Sequence, residues 1–294
     1  MREGFLNGVI DMHLHAGPSV ANRYVDGAEM MYLAKRAGYR AFVIKDHYFP
    51  TMMSAKIVEK HLNNTTGIRV FGGIALNNSV GLFNLNALDA AYGMGAKLVW
   101  MPTVSSKRHI DGHKGQASFP GSGNMSVEEN PVYYLDDQGA LLPEVVRVLE
   151  FVAERPDLIL STGHGSVSEI DTLLHKAVEL KVDKIIVNHP HFLIGASMED
   201  IARWAQLGAY IELNSGVFTE VSNTGVVPHS VIRDILDVVP MEQIVVDSDF
   251  GQMKNGDPIA HHAMFLDVLL NEIGLSEAQV SLMAKETPAK LLGI

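Results

Sequence analysis

Short apolar runs alternate with amphipathic segments along the whole chain. The apolar runs are typical of buried parallel strands, and the segments between them repeat apolar positions at helical spacing. We predict eight strands, over residues 6–15, 40–47, 70–77, 97–103, 158–164, 184–189, 209–214 and 243–249. We predict helices over residues 26–37, 51–63, 84–92, 143–154, 166–180, 197–207, 229–238, 261–273 and 276–292. The first of these helices begins with Asp26 and Glu29 at the spacing of a capping box.

The alternation of strand and helix predicts the fold class. Eight βα units in a row favour an α/β protein with a closed, TIM-like (β/α)8 barrel. An open doubly wound sheet is the alternative, and it usually carries a glycine-rich GxGxxG turn after its first strand. That motif is absent here, and no linker divides the chain. We therefore expect residues 1–294 to form a single barrel domain.

One segment interrupts the rhythm, after the fourth predicted strand. Residues 104–142 are rich in Gly, Ser, Pro and Asn. A loop this long inside a domain is usually a lid, a binding loop or a disordered insertion. On a barrel it would lie over the carboxyl ends of the strands, where active sites are found. We predict a lid or insertion loop, with a flexible insertion as the alternative.

Charge and composition limit the classes of partner that we expect this protein to bind. The chain has 34 acidic and 23 basic residues, a formal net charge of -11, and no cysteine. This charge disfavours nucleic acid and anionic membranes as partners, and favours a small-molecule substrate. No apolar stretch approaches the about 20 residues of a membrane span, and no targeting segment is recognisable, so we expect a cytoplasmic protein. Association into a homo-oligomer stays open.

Candidate chemistry lies at the carboxyl ends of the predicted strands. Seven polar residues share that position: His13, His15, His47, His164, His189, Asp247 and Asp249. Parallel strands of a barrel bring these ends to one rim. Side chains two residues apart on a strand face the same side, so we expect Asp11, His13 and His15 to point together. Lys45 should likewise share a face with His47.

This residue set predicts a metal site. Imidazole and carboxylate ligands without thiolate suit a catalytic Zn²⁺, with Mn²⁺ or Fe²⁺ as alternatives. An open coordination position would hold a water whose pKa falls to about 7.

Four motifs resemble the signature of the amidohydrolase superfamily. They are Asp11-Met12-His13-Leu14-His15, Gly163-His164, Asn188-His189-Pro190 and Asp247-Ser248-Asp249-Phe250. The closing Thr287-Pro288-Ala289-Lys290-Leu291-Leu292-Gly293 is similar to the ending of that superfamily, so the resemblance spans nearly the whole chain. Within the superfamily, the sequence is most similar to the amidohydrolase-related branch, which binds a single metal ion.

The resemblance implies a set of roles. It makes His13, His15, His164 and Asp249 the metal ligands, with Asp249 rather than Asp247 as the carboxylate. Asp249 would move the proton of the catalytic water, and His189 would be a ligand or stabilise charge in the transition state. Members with two ions usually bridge them with a carboxylated Lys at the end of strand four. Here that position is Met101-Pro102-Thr103, so one ion is favoured over two.

Two residues depart from the pattern. Lys45 could be an alternative bridge between metal ions, a contact for a substrate carboxylate, or a buried charge paired with Asp11 or Asp247. Asp247 stands where the branch has Gly. His47 is a further possible metal ligand, and Lys45-Asp46-His47 also resembles a strand-two motif of polymerase-and-histidinol-phosphatase phosphoesterases.

The remaining candidates lie near the same rim. Substrate-binding candidates besides Lys45 are Arg23, Asn77, Thr103, His191 and Asn214. We expect the histidines of the long loop and of the helices at the surface: His61, His109, His113, His175, His229, His261 and His262.

The predicted function is a metal-dependent hydrolase of a C–N or C–O bond in a small polar molecule, such as an amide, cyclic amide, lactone or ester. A metal-activated water would attack the carbonyl. A non-oxidative decarboxylase or hydratase on the same barrel is the first alternative. A phosphoesterase and a non-catalytic ligand-binding barrel are the others.

Overall fold

Eight parallel strands form the centre of the fold. The computed structural model describes residues 4–114, 125–220 and 227–294. The strands are β1 Ile10–Leu14, β2 Ala41–Ile44, β3 Arg69–Ala75, β4 Leu98–Trp100, β5 Ile159–Ser161, β6 Ile185–Val187, β7 Tyr210–Asn214 and β8 Ile244–Asp247. Each pairs with its neighbours in chain order. The His15 N–H donates to the Phe250 carbonyl (2.8 Å), and the Asp249 N–H donates to the His13 carbonyl (2.7 Å). These bonds join the last strand to the first, and the predicted (β/α)8 barrel is confirmed.

Helices follow the strands around the outside. They are α1 Gly27–Ala37, α2 Met52–Thr66, α3 Leu85–Gly93, α4 Lys107–Gly112, α5 Pro143–Ala153, α6 Val167–Glu179, α7 Met198–Gln206, α8 Ser230–Val238, α9 Pro258–Asn271, α10 Glu277–Ser281 and α11 Thr287–Leu292. The final predicted helix is therefore divided into two α-helices, with a π-helical segment, Leu282–Glu286, between them. None of the described helices has the length and apolar character that a membrane span requires.

The segment predicted as a long loop contains the short helix α4. Its N-cap is Ser106, whose hydroxyl accepts the His109 N–H, and this local cap explains why a helix begins within a loop-like composition. Residues 115–124 of the predicted lid, 104–142, lie outside the described residues. The lid itself stays a prediction.

Local signals place the starts of α1 and α6 as the sequence predicts. Asp26 caps α1 and Glu29 reaches back to the Asp26 N–H, so the predicted capping box is confirmed. Ser166 and Glu169 form the same arrangement at the start of α6. Each box satisfies backbone donors that the first turn of a helix leaves without partners.

The inner face of the barrel changes from apolar to polar along the strands. Near the amino ends, Ile10, Val43 and Val245 pack in the interior cluster, which Leu291 and Leu292 of α11 complete. Nearer the carboxyl ends, the inner positions are polar and buried: Lys45, Asn77, Asn188, Glu212 and Asp247. The period of two along β2 to β8 therefore places a polar layer on an apolar one.

Strand β1 departs from this alternation. Its pairing with β2 is irregular between Asp11 and Leu14. Met12 packs in the interior cluster, and the next residue, His13, contacts the inward Glu212. The expectation that Asp11 shares the face of His13 and His15 is therefore wrong. An Asp11 oxygen instead accepts the backbone N–H groups of His13 and Ser248, both at 3.1 Å.

Candidate metal centre

Two imidazoles and a carboxylate converge at the carboxyl ends of β1 and β8. Nε2 of His13 lies 3.1 Å from Oδ1 of Asp249, and Nε2 of His15 lies 3.0 Å from the same oxygen. The two histidines are buried, whereas the Asp249 side chain is 22% exposed. These three atoms form one of two groups of potential metal ligands among the described residues.

The hydrogen-bond partners of the two rings show which nitrogens carry hydrogen. Nδ1 of His13 donates to Oε1 of Glu212 (2.8 Å), and Nδ1 of His15 donates to the Lys45 carbonyl (3.1 Å). Because carboxylate and carbonyl oxygens only accept, each neutral ring presents the lone pair of Nε2 to Asp249. Three acceptor atoms that all lie within 4.8 Å of one another repel unless a cation lies among them. The arrangement therefore fits a divalent cation, for which neutral imidazole and carboxylate are suitable ligands.

The pKa shifts of His13, His15 and Asp249 reflect the same close approach of their ligand atoms. Burial by itself lowers the pKa of His13, but the Asp249 carboxylate opposes burial and raises it to about 9. Burial and then the Arg23 charge lower the pKa of His15 to about 3. Burial raises the pKa of Asp249, and His13 and His15 outweigh it and hold that pKa well below its usual range. The carboxylate is charged, and it requires positive charge on the two imidazoles or between them.

Glu212 is a site residue that the sequence analysis missed. It lies on β7, and its Oε1 accepts from His13 Nδ1 and from Nδ2 of Asn188 (3.1 Å). Its Oε2 accepts the His189 N–H (2.9 Å). Burial raises its pKa, but His13 outweighs burial and lowers it to about 2. An acidic residue between apolar residues on strand seven was the signal that could have revealed it.

Lys45 lies directly against the cluster. Its Nζ is 2.8 Å from Nε2 of His13 and 5.7 Å from the centre of the Trp100 ring. Among the described residues, its Nζ is thus in contact with His13 rather than with Asp11 or Asp247, the two partners proposed from the sequence. Burial lowers the pKa of Lys45, while the Asp249 and Glu212 carboxylates oppose that shift. The lysine thus places a nitrogen donor beside a candidate metal ligand.

Asp247 lies near this cluster but belongs to a different group of potential ligands, which does not include Asp249. Ligand atoms of His13, Glu212 and Asp247 form the second group of potential ligands among the described residues. Burial, followed by the Glu212 and Asp11 charges, raises the pKa of Asp247 well above its usual range. We therefore expect this carboxyl group to hold a proton.

A cavity of about 50 Å³ adjoins the cluster. Its walls are His15, Lys45, His47, His109, His113, His164, His189, Phe192, Leu193, Asp249 and Gln252. Nε2 of His164 and Nδ1 of His189 are buried, and within the described part of the chain they have no hydrogen-bond partner. The volume exceeds the about 10–15 Å³ that one water needs. The cavity therefore offers two unused imidazole nitrogens and room for water.

Two histidines expected at the surface are buried. His109 is 4% exposed, and its Nδ1 lies 2.8 Å from Nδ1 of His164. The two rings also stack, with centroids 4.9 Å apart. His262 is completely buried. Both expectations were wrong because α4 carries His109 over the rim and because α9 packs against the barrel.

The substrate-binding candidates have different surroundings. Nη2 of Arg23 donates to Asp46 Oδ2 (3.3 Å), while its Nε and Nη1 are buried without a partner among the described residues. Both oxygen and nitrogen of the Asn77 amide are engaged within the protein. His191 stacks on Phe218, with centroids 4.9 Å apart, away from the cavity walls.

The other two candidates, Thr103 and Asn214, are completely buried. Thr103 bonds to His47 and Asn77. Nδ2 of Asn214 points to Glu212 at 3.4 Å, and its Oδ1 has no partner among the described residues.

Backbone conformation positions two of the site residues. Asp249 has φ 51° and His189 has φ 23°, in the left-handed region that is sparsely populated for residues other than glycine. Gly251 has φ 119°, and a Cβ there would lie 1.7 Å from the His15 carbonyl oxygen. Only glycine lets the chain after β8 pass this close to the end of β1. Strained backbone of this kind is concentrated at functional sites.

Fold and site together define a (β/α)8 barrel with a histidine-rich candidate metal centre. The chain belongs to the family described as "Family of unknown function (DUF6282)", whose model matches residues 8–212. The matched region includes His13, His15, His164 and His189, and ends at Glu212. No curated protein matches the sequence.

Solved structures share the fold along nearly the whole chain. An amidohydrolase from Pseudomonas aeruginosa is 11% identical, with a TM-score of 0.65 and coverage of 98% of this chain and 96% of that one. An organophosphorus hydrolase from Deinococcus radiodurans is 14% identical (TM-score 0.58; 99% and 94%). A 2,6-dihydroxybenzoate decarboxylase from Rhizobium is 10% identical (TM-score 0.58; 98% and 99%). At these identities the likeness establishes the fold, and it agrees with the (β/α)8 barrel predicted from the sequence.

Proposed function

We propose that this protein is a metal-dependent hydrolase that cleaves a C–N or C–O bond of a small polar molecule. The observation that carries the proposal is the convergence of three acceptor atoms, from His13, His15 and Asp249, at one end of the barrel. Zn²⁺ is the ion that this ligand chemistry favours, with Mn²⁺ or Fe²⁺ as alternatives. When bound, such an ion lowers the pKa of water and polarises a carbonyl oxygen.

The chain's own residues would supply the remaining steps. His13 and His15 hold the ion through Nε2, because Glu212 and the Lys45 carbonyl keep hydrogen on Nδ1 of both rings. His164 presents Nε2 as a further ligand. The Asp249 carboxylate accepts the proton of the attacking water and returns it to the leaving group. His189 lines the cavity and stabilises charge on the reacting oxygen.

Replacement of His13 tests the proposal. We expect His13→Ala to lose bound zinc, measured by elemental analysis, and to lose turnover in a screen of cyclic amides, lactones and esters. His175→Ala is the control, because His175 is exposed on α6 and lies outside the cavity walls. Retained metal together with retained turnover in His13→Ala would contradict the proposal.

A decarboxylase or hydratase is the second candidate. The observation that favours it is the pair of unused imidazole nitrogens, on His164 and His189, which could give a proton to carbon. The three reactions differ in the fate of water and of the substrate. A hydrolase incorporates isotope-labelled oxygen from water and cleaves a C–N or C–O bond. A hydratase adds that oxygen across a double bond without cleavage, and a decarboxylase releases carbon dioxide from aromatic acids without incorporating it.

The surroundings of Asp46 disfavour a phosphoesterase. Oδ1 of Asp46 accepts the backbone N–H groups of Tyr48 and Phe49, and Oδ2 accepts from Ser19 and Arg23. This carboxylate is not among the cavity walls. The motif Lys45-Asp46-His47 therefore offers a metal no free carboxylate in this arrangement.

A further inference from the structure

A chain of hydrogen bonds leads from the amide of Asn77 through Thr103 to the ring of His47. Oδ1 of Asn77 lies 2.8 Å from the Thr103 backbone nitrogen and 3.2 Å from that of Ser105. Backbone N–H groups can only donate, so this atom of the amide must be the oxygen. The amide nitrogen, Nδ2, then donates to the His47 carbonyl and to Oγ1 of Thr103, both at 2.7 Å. The orientation of the Asn77 amide is therefore determined by backbone donors.

The Thr103 hydroxyl connects the oriented Asn77 amide to the imidazole of His47. Its Oγ1 accepts from Asn77 and lies 2.9 Å from Nδ1 of His47. Thr103 is completely buried, and the described residues offer its hydrogen no other acceptor. If the hydroxyl accepted from both neighbours, its own hydrogen would be buried without a partner, which is unfavourable. The arrangement that satisfies every group has the Thr103 hydroxyl donating to Nδ1 of His47.

This arrangement determines whether Nε2, the other ring nitrogen of His47, carries hydrogen. With Nδ1 occupied as an acceptor, the neutral ring carries its hydrogen on Nε2, and that nitrogen has no lone pair to give to a metal. His47 is 6% exposed, it lines the cavity together with Asp249, and its ring lies 4.9 Å from the ring of His15. A hydrogen-bond donor is thus placed beside the candidate metal centre.

We propose that His47 is a hydrogen-bond donor to the oxygen of the substrate on which negative charge develops, and that it is not a metal ligand. Asn77 and Thr103 are positioning residues that hold it in the required tautomer. The ligand class is an oxygen acceptor, such as a carbonyl that becomes an oxyanion. The substrate part of this inference depends on the proposed function, whereas the tautomer does not.

The tautomer can be measured in the whole protein without a substrate. Long-range proton–nitrogen spectra of protein containing isotope-labelled histidine distinguish protonated from unprotonated ring nitrogens, and the signal missing in His47→Gln assigns the residue. We expect hydrogen on Nε2 in the wild type, with and without zinc. Thr103→Ser keeps the hydroxyl and should keep this pattern, whereas Thr103→Val should move hydrogen to Nδ1. Hydrogen on Nδ1 in the wild type, or loss of the Nε2 hydrogen when zinc binds, would overturn the proposal.

Binding measurements test the role toward the ligand. Zinc affinity should change by less than about twofold in both His47→Phe and His47→Gln, because neither removes a ligand. The affinity of the zinc-loaded protein for acetohydroxamate, which presents an oxygen acceptor, should fall about tenfold in His47→Phe and be partly restored in His47→Gln. Loss of zinc in either variant, or unchanged acetohydroxamate affinity in His47→Phe, would contradict it. If the wild type binds no zinc, the proposed function fails, and the tautomer measurement still decides the state of His47.

Discussion

The two sides of the candidate site differ in how completely the ring nitrogens of their histidines are hydrogen-bonded. On the side of β1, β2 and β8, His13 and His15 each have one ring nitrogen bonded to an acceptor, from Glu212 or the Lys45 carbonyl, and the other facing Asp249. On the side of β5 and β6, Nε2 of His164 and Nδ1 of His189 are buried without partners among the described residues.

This difference indicates that the two sides of the site have different roles. A nitrogen whose lone pair is aimed by a second hydrogen bond is prepared for a metal. On the first side, two such nitrogens face the same Asp249 oxygen, at 3.0 and 3.1 Å. The second side would then contact the substrate or complete the coordination of the ion.

Removal of the Asp249 carboxylate should have the largest effect. Asp249→Asn leaves two imidazoles without the charge that joins them, so we expect zinc affinity, measured by competition with a chelator, to fall more than about 100-fold, beyond the range for outer residues. His164→Asn should cost less, because its nitrogen lies outside the converging group. Equal losses in the two variants would mean that both sides hold the ion together.

Glu212→Gln should have the next largest effect. The amide can turn its N–H toward Nδ1 of His13 and disturb the tautomer, so we expect zinc affinity to fall about 10- to 100-fold. Glu169→Gln is the matched control, since Glu169 is also buried and accepts a backbone N–H, from Tyr134, but outside the site. A similar loss of zinc in both variants would show a general effect on the fold.

Lys45→Met should change affinity in the opposite direction. Like charges about 4 Å apart interact by about 4 kcal/mol at an effective dielectric constant of 20, so removal of the Lys45 nitrogen beside His13 should strengthen zinc binding at least about tenfold. Isothermal titration of the variant measures this. Weaker binding would indicate that Lys45 is itself a ligand or a bridge, as one interpretation of the sequence holds.

Hydrogen exchange should show the smallest effect. Zinc ties His13 and His15 to Asp249, so it should slow exchange of the Asp249 and His15 amides, which close the barrel between β8 and β1. With zinc at ten times its Kd, we expect slowing of about tenfold. The Thr162 amide, which donates to the Ile186 carbonyl between β5 and β6, should change less. Equal slowing at both places would remove the distinction between the two sides.

Much of the fold follows from local rules that the sequence displays. The capping box at Asp26 and the eightfold alternation of strand and helix predicted the barrel, because caps and periodicity act within one element. Helix α4 was not predicted, since its cap at Ser106 lies in a composition typical of loops.

Less of the candidate site could be predicted. The position of His13, His15 and Asp249 at one rim follows from the topology of parallel strands, whereas the burial of His109 requires knowing how α4 folds over that rim.

By itself, the sequence determined the element order, the apolar strands and the histidines and aspartates at their carboxyl ends. Only the tertiary structure decided which atoms meet: that Glu212 orients His13, that Lys45 contacts His13, and that Asn77 and Thr103 set the tautomer of His47. The physical reason is the separation along the chain over which each interaction acts. Periodicity and capping depend on neighbours within a few residues, whereas a hydrogen-bond direction depends on partners from other strands, and on the break in alternation in β1 that turns His13 inward.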